Sequence, residues 1–494
     1  MQQLFYVGGS MEEWIVDASC GRIRGRKTEN GYEFLGIPYG MAERFRAPKP
    51  VVWDGIRDCV SYGPKAMQPS FLGVKPRDAD LYVVGSEDCL NLNVWTKCPD
   101  EKARLPVAVY VHGGAFQVGS NSAPERAGDR FMEEDAMVFV SVNYRLGVLG
   151  FLQLGEEYGT DYAGSGNNGI KDLLLAVRWV RDHISAFGGD PENITLLGIS
   201  AGAKAIASLL TLPEFQQVCR RVILESGAMQ SFRGKKTADQ VTHRYLRYLP
   251  EEASLLTLSG EELIQAQAAL CGVEGSTCFF GPVLDGELFD SGWKRRWQEG
   301  ARWRGAAVIG SGRWELSPLA GKPAFAENRE QVLEDLFGTH SEIAWNHYRK
   351  LEAEGKDQEE AWAEVLSDFM YRYYSDELAN QLYREENPVW CYSFEYPPAC
   401  HGMGFHFLMG QWSLPSFGVT EEKRAEASRI SSCLRAGIRR FILTGNPETP
   451  ELSWEPYRGE NKMIFDQSPH MEVRRRDTLT GFPEEVFSKE EDIL

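Results

Sequence analysis

One serine stands in the run Gly198-Ile199-Ser200-Ala201-Gly202, after the apolar segment Ile194–Leu197 and before the Ala/Leu-rich segment Ala201–Leu212, which Pro213 closes. An apolar run followed by strong helix formers predicts a strand, a sharp turn and a helix. Gly198 and Gly202 remove the side chains that would crowd such a turn. The turn lifts the Ser200 hydroxyl off the sheet edge and aims the helix N-terminus at it. Unpaired amides and the helix dipole there favour a developing oxyanion. The chemistry this pattern suits is nucleophilic attack on a carbonyl, the nucleophile-elbow arrangement.

A serine nucleophile needs a base, the base needs an acid, and the expected chain order is Ser, acid, His. The histidines weighed as base are His340, His347, His401, His406 and His470. His340 and His347 fall in a charged helical stretch and read as surface residues, and His470 lies in a polar turn near the tail. His401 follows the strand-like run Val389–Tyr396 through the loop PPAC, where sites of open α/β sheets gather; His406 is its competitor. For the acid, Glu315 follows Ala306–Ile309 through GSGRW, and Asp285 in GPVLDG is the rival. The loop VHGGAF, Val111 to Phe116, follows Val107–Val111 directly and can turn a backbone N–H toward an oxyanion. His112 within it reads as a brace for the loop.

These residues require a scaffold that brings strand ends together. Near-continuous apolar runs recur at Val107–Val111, Met137–Val142, Ile194–Leu197, Val222–Leu224, Ala306–Ile309 and Val389–Tyr396, as expected of parallel strands covered on both faces. Between them, Gly169–Phe187 places Ile170, Leu173, Leu174, Val177, Val180 and Ile184 at helical spacing. Strands alternating with helices predict an α/β fold with a doubly wound, mostly parallel sheet. No repeat or Pro/Ser-rich linker divides residues 1–494, so the chain reads as one domain with helical insertions near 235–270 and 326–386. The acidic tail SKEEDIL reads as a frayed end.

The formal net charge of −18 argues against nucleic acid and anionic membrane surfaces as partners. No window reaches the ~18–20 apolar residues of a membrane helix. The opening MQQLFYVGGSMEEW lacks the basic and apolar regions of a secretory signal. Ten cysteines include no CxxC pair and no Cys/His set at zinc spacing. Together these features predict reduced thiols in a cytoplasmic protein, with no metal and no organic cofactor.

Read in order, the segments FLGIPYG, RFRAP, SEDCLNLNVW, VYVHGGAFQVGS, SVNYRLGVLGFL, GNNGIKD, FGGDPENITLLGISAGA, ILESGA, PVLDG, GSGRWE and HGMGFHFLMG resemble the type-B carboxylesterases of the α/β-hydrolase fold. That family includes bacterial para-nitrobenzyl esterases, animal carboxylesterases and cholinesterases. The resemblance spans nearly the whole chain. It implies hydrolysis of small to medium, largely apolar carboxylic esters through an acyl-enzyme. The alternatives are an amidase or carbamate hydrolase with the same triad, or a non-catalytic adhesion or scaffold member of the fold. By position, Ser200 resembles the family nucleophile, Glu315 its acid and His401 its base, and Gly114, Ala115 and Ala201 match the oxyanion-hole donors. Arg44 with Glu87, and Arg145 with Asp172, match the family's buried ion pairs.

The departures are specific. Ala66 stands where secreted relatives carry the partner of Cys89, so Cys89 is expected to be a free thiol. Ile199 replaces the family glutamate before the nucleophile, and Gly404 replaces the one three residues after the triad histidine. Losing both together avoids a half-satisfied buried network, and Ile199 is expected to pack on an apolar floor with Met403 or Phe405. Cys400 beside His401 reads as a small buried side chain. Substrate preference is expected to come from Phe71–Gly85 and Arg233–Phe280.

Overall fold

The computed structural model describes residues 13–474, apart from residues 71–81, 123–127, 132–135, 252, 275–278, 293–294, 296, 298–302, 322, 338–340 and 414–417. At its centre is a 13-stranded mixed sheet. In chain order its strands are β1 Glu13–Ala18, β2 Gly21–Thr28, β3 Gly31–Pro38, β4 Ile56–Asp58, β5 Asn91–Thr96, β6 Leu105–Val111, β7 Val138–Val142, β8 Gly189–Ile199, β9 Arg221–Glu225, β10 Ala306–Gly312, β11 Val389–Phe394, β12 Asn461–Phe465 and β13 His470–Val473. In space they run β1-β2-β3-β5-β7-β6-β8-β9-β10-β11-β12-β13, with β4 beside β2. From β7 to β12 every pair is parallel. β1, β2, β3 and β5 pair antiparallel along the sheet, as does β13 with β12, while β4 runs parallel to β2.

The apolar runs read from the sequence all fall in this parallel block, which is covered on both faces. Alternate residues point to opposite sides of a strand, and the core divides accordingly. Val107, Val109, Val111, Leu196 and Leu224 belong to one cluster, while Ala108, Tyr110, Leu197, Ile199 and Ile223 belong to the other. The order β7-β6-β8 reverses direction at β6, so the C-terminal ends of β6 and β8 border a topological switch point, where ligands bind in such sheets.

Helix α1, Asn168–His183, continues into a 3-10 turn at Ile184–Phe187, matching the helical spacing expected over that segment. Helix α2, Ala201–Leu209, ends three residues earlier than the Ala/Leu run suggests, and Pro213 opens a separate 3-10 turn. Two further helices follow His401: α3, Met403–Leu408, and α4, Arg424–Thr444.

The segments read as insertions are helical, with helices at Lys235–Leu246, Gly260–Glu274, Arg329–Phe337, Ser341–Ala353, Gln358–Ser367 and Tyr373–Arg384. A π-helical turn, Asp368–Arg372, joins the last two. His347, expected at the surface, is buried instead, with its ring 5.8 Å from Phe369 and Nε2 3.5 Å from Asp368. Helical periodicity puts His347 on the same face as Ala344 and Leu351, and that face packs inward. His340, most of Phe71–Gly85 and the acidic tail lie outside the described residues.

Of the two ion pairs, Arg145–Asp172 is fully buried, with Nε–Oδ2 at 2.8 Å and Nη2–Oδ1 at 2.6 Å. Arg44–Glu87 is only part-buried, because Glu87 stays partly in solvent. Arg44 also donates to the carbonyls of Leu255 and Leu258. Among the described residues no cysteine is paired, and Cys89 is buried. No described helix is long and apolar enough to cross a membrane.

Candidate active site

The Ser200 elbow is built by close backbone packing. Ser200 has φ 54° and ψ −123°, a left-handed conformation that a non-glycine residue holds only when its surroundings enforce it. Those surroundings are visible. Its N–H donates to the Glu225 carbonyl at 2.8 Å, and its carbonyl accepts from Lys204 N–H at 2.9 Å. A Cβ at Gly198 would stand 2.7 Å from the Ala203 nitrogen, and one at Gly202 would fall onto the carbonyl of Val111. The turn therefore tolerates no side chain at either glycine.

The loop after β6 lies directly over this elbow. A Cβ at Gly113 would stand 2.7 Å from the Ile199 carbonyl and 3.1 Å from the Ser200 Cβ. Gly114, Ala115 and Phe116 all have positive φ, at 117°, 54° and 58°. Among the described residues, the amides of Gly114, Ala115 and Ala201 have no hydrogen-bond acceptor. Ala201 is the first residue of α2, so its N–H has no partner within the helix. His112 is buried, stacks on Tyr144 at 4.6 Å, and its Nδ1 lies 2.9 Å from the Gly113 carbonyl. Tyr144 in turn donates to the His112 carbonyl at 2.9 Å. His112 thus braces the loop.

The acid and the imidazole arrive from the ends of β10 and β11. His401 Nδ1 lies 2.5 Å from Glu315 Oε2, with Glu315 wholly buried and the imidazole partly exposed. The His401 amide also donates to the Glu315 carbonyl at 3.0 Å, and the Trp314 amide to Ala399 at 3.0 Å, which laces the two loops together. The other carboxylate oxygen of Glu315 accepts from Ser226 Oγ at 2.6 Å and from the Gly312 amide at 2.7 Å. Two donors thus fix the carboxylate through Oε1, and its Oε2 holds the ring through Nδ1, leaving Nε2 for a reacting group. Gly402, next to His401, comes within reach of Ile199, next to Ser200: a Cβ there would be 3.3 Å from Ile199 Cδ1.

The rivals have other partners. Asp285 accepts from Asn167 Nδ2 at 2.8 Å and from the amides of Glu287 and Leu288, closing its own turn. Glu315 meets the imidazole of His401, and His406 sits a turn further on, in α3.

Four residues at the site escaped the sequence reading. Ser226 and Glu225 lie in ILESGA, at the end of the strand beside the elbow; their signal was position at a strand end next to β8. Tyr371, whose ring lies 4.7 Å from His401, comes from the π-helical turn inside a charged helical stretch. No local pattern announces it. Lys204, one turn beyond Ser200, places Nζ 5.0 Å from that same tyrosine ring.

Around Ile199 the expectation needs correction. Ile199, Cys400, Met403 and Phe405 do share one apolar cluster. The floor is not wholly apolar, however, because the buried carboxyl of Glu225 enters it from β9 and meets Gly404. Burial pushes the Cys400 thiol up, in keeping with an inert filler.

A wide, mostly parallel sheet with a serine on a strained strand-to-helix turn and an acid–imidazole pair at the neighbouring strand ends defines a hydrolase of the α/β-hydrolase fold. The carboxylesterase family model matches residues 12–481. The chain is 31% identical over 502 residues to the para-nitrobenzyl esterase of Bacillus subtilis (strain 168), covering 94% of this chain and 99% of that one. It is 30% identical to the phenmedipham hydrolase of Pseudarthrobacter oxydans, covering 91% and 94%. The crystal structure of a Geobacillus stearothermophilus carboxylesterase superposes with a TM-score of 0.81 at 31% identity, covering 93% and 97%. The chain belongs to the carboxylesterase family, and it is a serine hydrolase of carboxylic esters.

Proposed function

We propose that Ser200, His401 and Glu315 act as nucleophile, base and acid, and that the amides of Gly114, Ala115 and Ala201 hold the oxyanion. The observation carrying this reading is the 2.5 Å contact of His401 Nδ1 with the buried Glu315, beside an elbow serine whose neighbour Ile199 approaches Gly402. His401 Nε2 takes the Ser200 proton as Oγ attacks the ester carbonyl. Glu315 keeps the proton on Nδ1 and stabilises the imidazolium that forms. The negative oxygen settles on the three amides, each worth ~3–4 kcal/mol in such sites. The imidazolium then protonates the departing alkoxide, leaving an acyl-Ser200. A water deprotonated by His401 attacks the acyl carbon, and the acid leaves as Ser200 regains its proton. No metal or organic cofactor enters these steps.

We read the substrates as small to medium, largely apolar esters, and the chain as one functional unit. The Tyr371 ring against His401 supports an apolar wall at the reacting centre. The unpaired, buried Cys89 supports a reducing, cytoplasmic setting. The test is para-nitrophenyl butyrate hydrolysis with rapid mixing. The expected result is a burst of one chromophore equivalent per chain, absent in Ser200→Ala. A Ser200→Ala enzyme that turns over normally would overturn the assignment.

A further inference from the structure

Glu225 is the last residue of β9 and is buried to 1% exposure. Its register partners are Ile199 on β8 and Gly310 on β10. Through its backbone it holds the elbow, since its carbonyl accepts from the Ser200 amide. Through its side chain it reaches the imidazole's loop: Oε1 accepts from the Phe405 amide at 2.6 Å, in the first turn of α3. That turn begins two residues after His401. Oε2 accepts from the Tyr392 hydroxyl of β11 at 2.8 Å. Room for the carboxyl exists only because residue 404 is glycine, where a Cβ would stand 2.7 Å from Oε1. The next residue, Ser226, donates to Glu315. One residue thus touches the nucleophile's turn and the helix that follows the base, and its neighbour touches the acid.

We propose that Glu225 is a positioning residue for ester hydrolysis, its carboxyl filling the space Gly404 leaves and pinning α3, and with it His401, against the strand end that carries the Ser200 elbow. The proposal rests on the triad reading above and deepens it. Among the described residues, the titratable groups acting on the carboxyl are Tyr392 from β11 and Glu315 from the loop after β10; from β8 and α3 it meets Ile199 and the Phe405 amide. No cation is among these groups. Burial is the main influence and Glu315 adds to it, opposed by the Tyr392 and Phe405 hydrogen bonds, so the group is pushed up to about 8. Below that pH it sits as a neutral acid. Above it, a second negative charge stands behind Glu315 and favours the imidazolium of the transition state.

The experiment compares full-length wild type, Glu225→Gln and Glu225→Ala in kcat and KM for para-nitrophenyl butyrate from pH 6 to 10, alongside Tm. In Glu225→Ala we expect kcat about ten- to a hundredfold lower, with KM within about threefold, the scale of a displaced catalytic group. Glu225→Gln keeps an oxygen for the Phe405 amide, so its kcat at pH 7 should stay within about threefold of wild type. Wild-type kcat should rise a second time, severalfold, as pH passes about 8, and Glu225→Gln should lack that rise. If Glu225→Ala does not fold, the pH profile of the Gln variant decides. Superimposable profiles for wild type and Glu225→Gln, or a folded Glu225→Ala with wild-type kcat, overturn the proposal. Ser200→Ala separates the two readings. Inactive Ser200→Ala with indifferent Glu225 variants sinks this proposal alone, whereas active Ser200→Ala sinks the triad with it.

Discussion

The two halves of the candidate site are held by different physics. At the ends of β6 and β8, the elbow and its overlying loop are fixed by backbone against backbone. Gly113, Gly198 and Gly202 each stand where a single methyl would strike a main-chain atom or Ser200, and no charge is involved. At the ends of β9, β10 and β11, side chains do the holding. Glu315 is held by Ser226 and holds His401, and the adjacent Glu225 is held by Tyr392 and the Phe405 amide, two hydrogen-bonded sets built on buried carboxyls. The first half is therefore vulnerable to added volume and indifferent to pH. The second is vulnerable to lost or added charge.

The largest effect is expected where the halves meet. Ser200→Ala should lower kcat by about 10⁴- to 10⁶-fold, the range for removing a triad nucleophile, with far-UV circular dichroism unchanged. A residual rate near wild type would show that the elbow is not the reacting half. Next, Glu315→Gln keeps an oxygen for Ser226 and Gly312 but can face Nδ1 with an amide donor, favouring the wrong tautomer. Its kcat should fall about 10³- to 10⁴-fold with little change in KM. Steady-state kinetics that leave kcat intact would place the acid elsewhere.

Smaller in energy is the steric test. Gly202→Ala pushes a methyl onto the Val111 carbonyl, an overpacking that should cost about 1–3 kcal/mol at every pH, read by urea unfolding. A neutral result would mean that the elbow can relax. A last test addresses the contrast in pH sensitivity. The folded-state pKa of Glu225 is raised to about 8 from 4.5, so the native state holds its proton over a window in which the unfolded chain has released it. Its relative contribution to stability is full below about pH 4.5 and is lost as pH rises through about 8. The slope is at most ~1.4 kcal/mol per pH unit. Glu225→Gln should remove that slope, so the stability difference between variant and wild type should shift in the variant's favour from pH 5 to 8. Parallel curves would deny Glu225 its shifted titration.

Much of this molecule is legible along the chain. The six apolar runs are the parallel strands from β6 to β11, because strands covered on both faces must be apolar at nearly every position. The outer strands were not read. β1 and β2 are mostly exposed or half-buried, with Arg22, Arg24 and Arg26 turned toward solvent or ion pairs, so they lack the continuous apolar runs that marked the other strands. His347 misled for a related reason: charged neighbours suggested a surface helix, while the face that packs was set by the helices around it.

The sequence by itself determined the elbow, because Gly-Ile-Ser-Ala-Gly between a strand and a helix is a local solution to a local crowding problem. It also determined the HGG loop and the candidates Glu315 and His401, through their places after strand-like runs. Only the tertiary structure decided that His401 and not His406 meets Glu315, that Tyr371 lies against the imidazole, and that a carboxyl from β9 fills the space at Gly404. Those contacts join residues up to 180 positions apart. Such pairings depend on which strand ends the sheet order places side by side, and no stretch of neighbouring residues encodes that order.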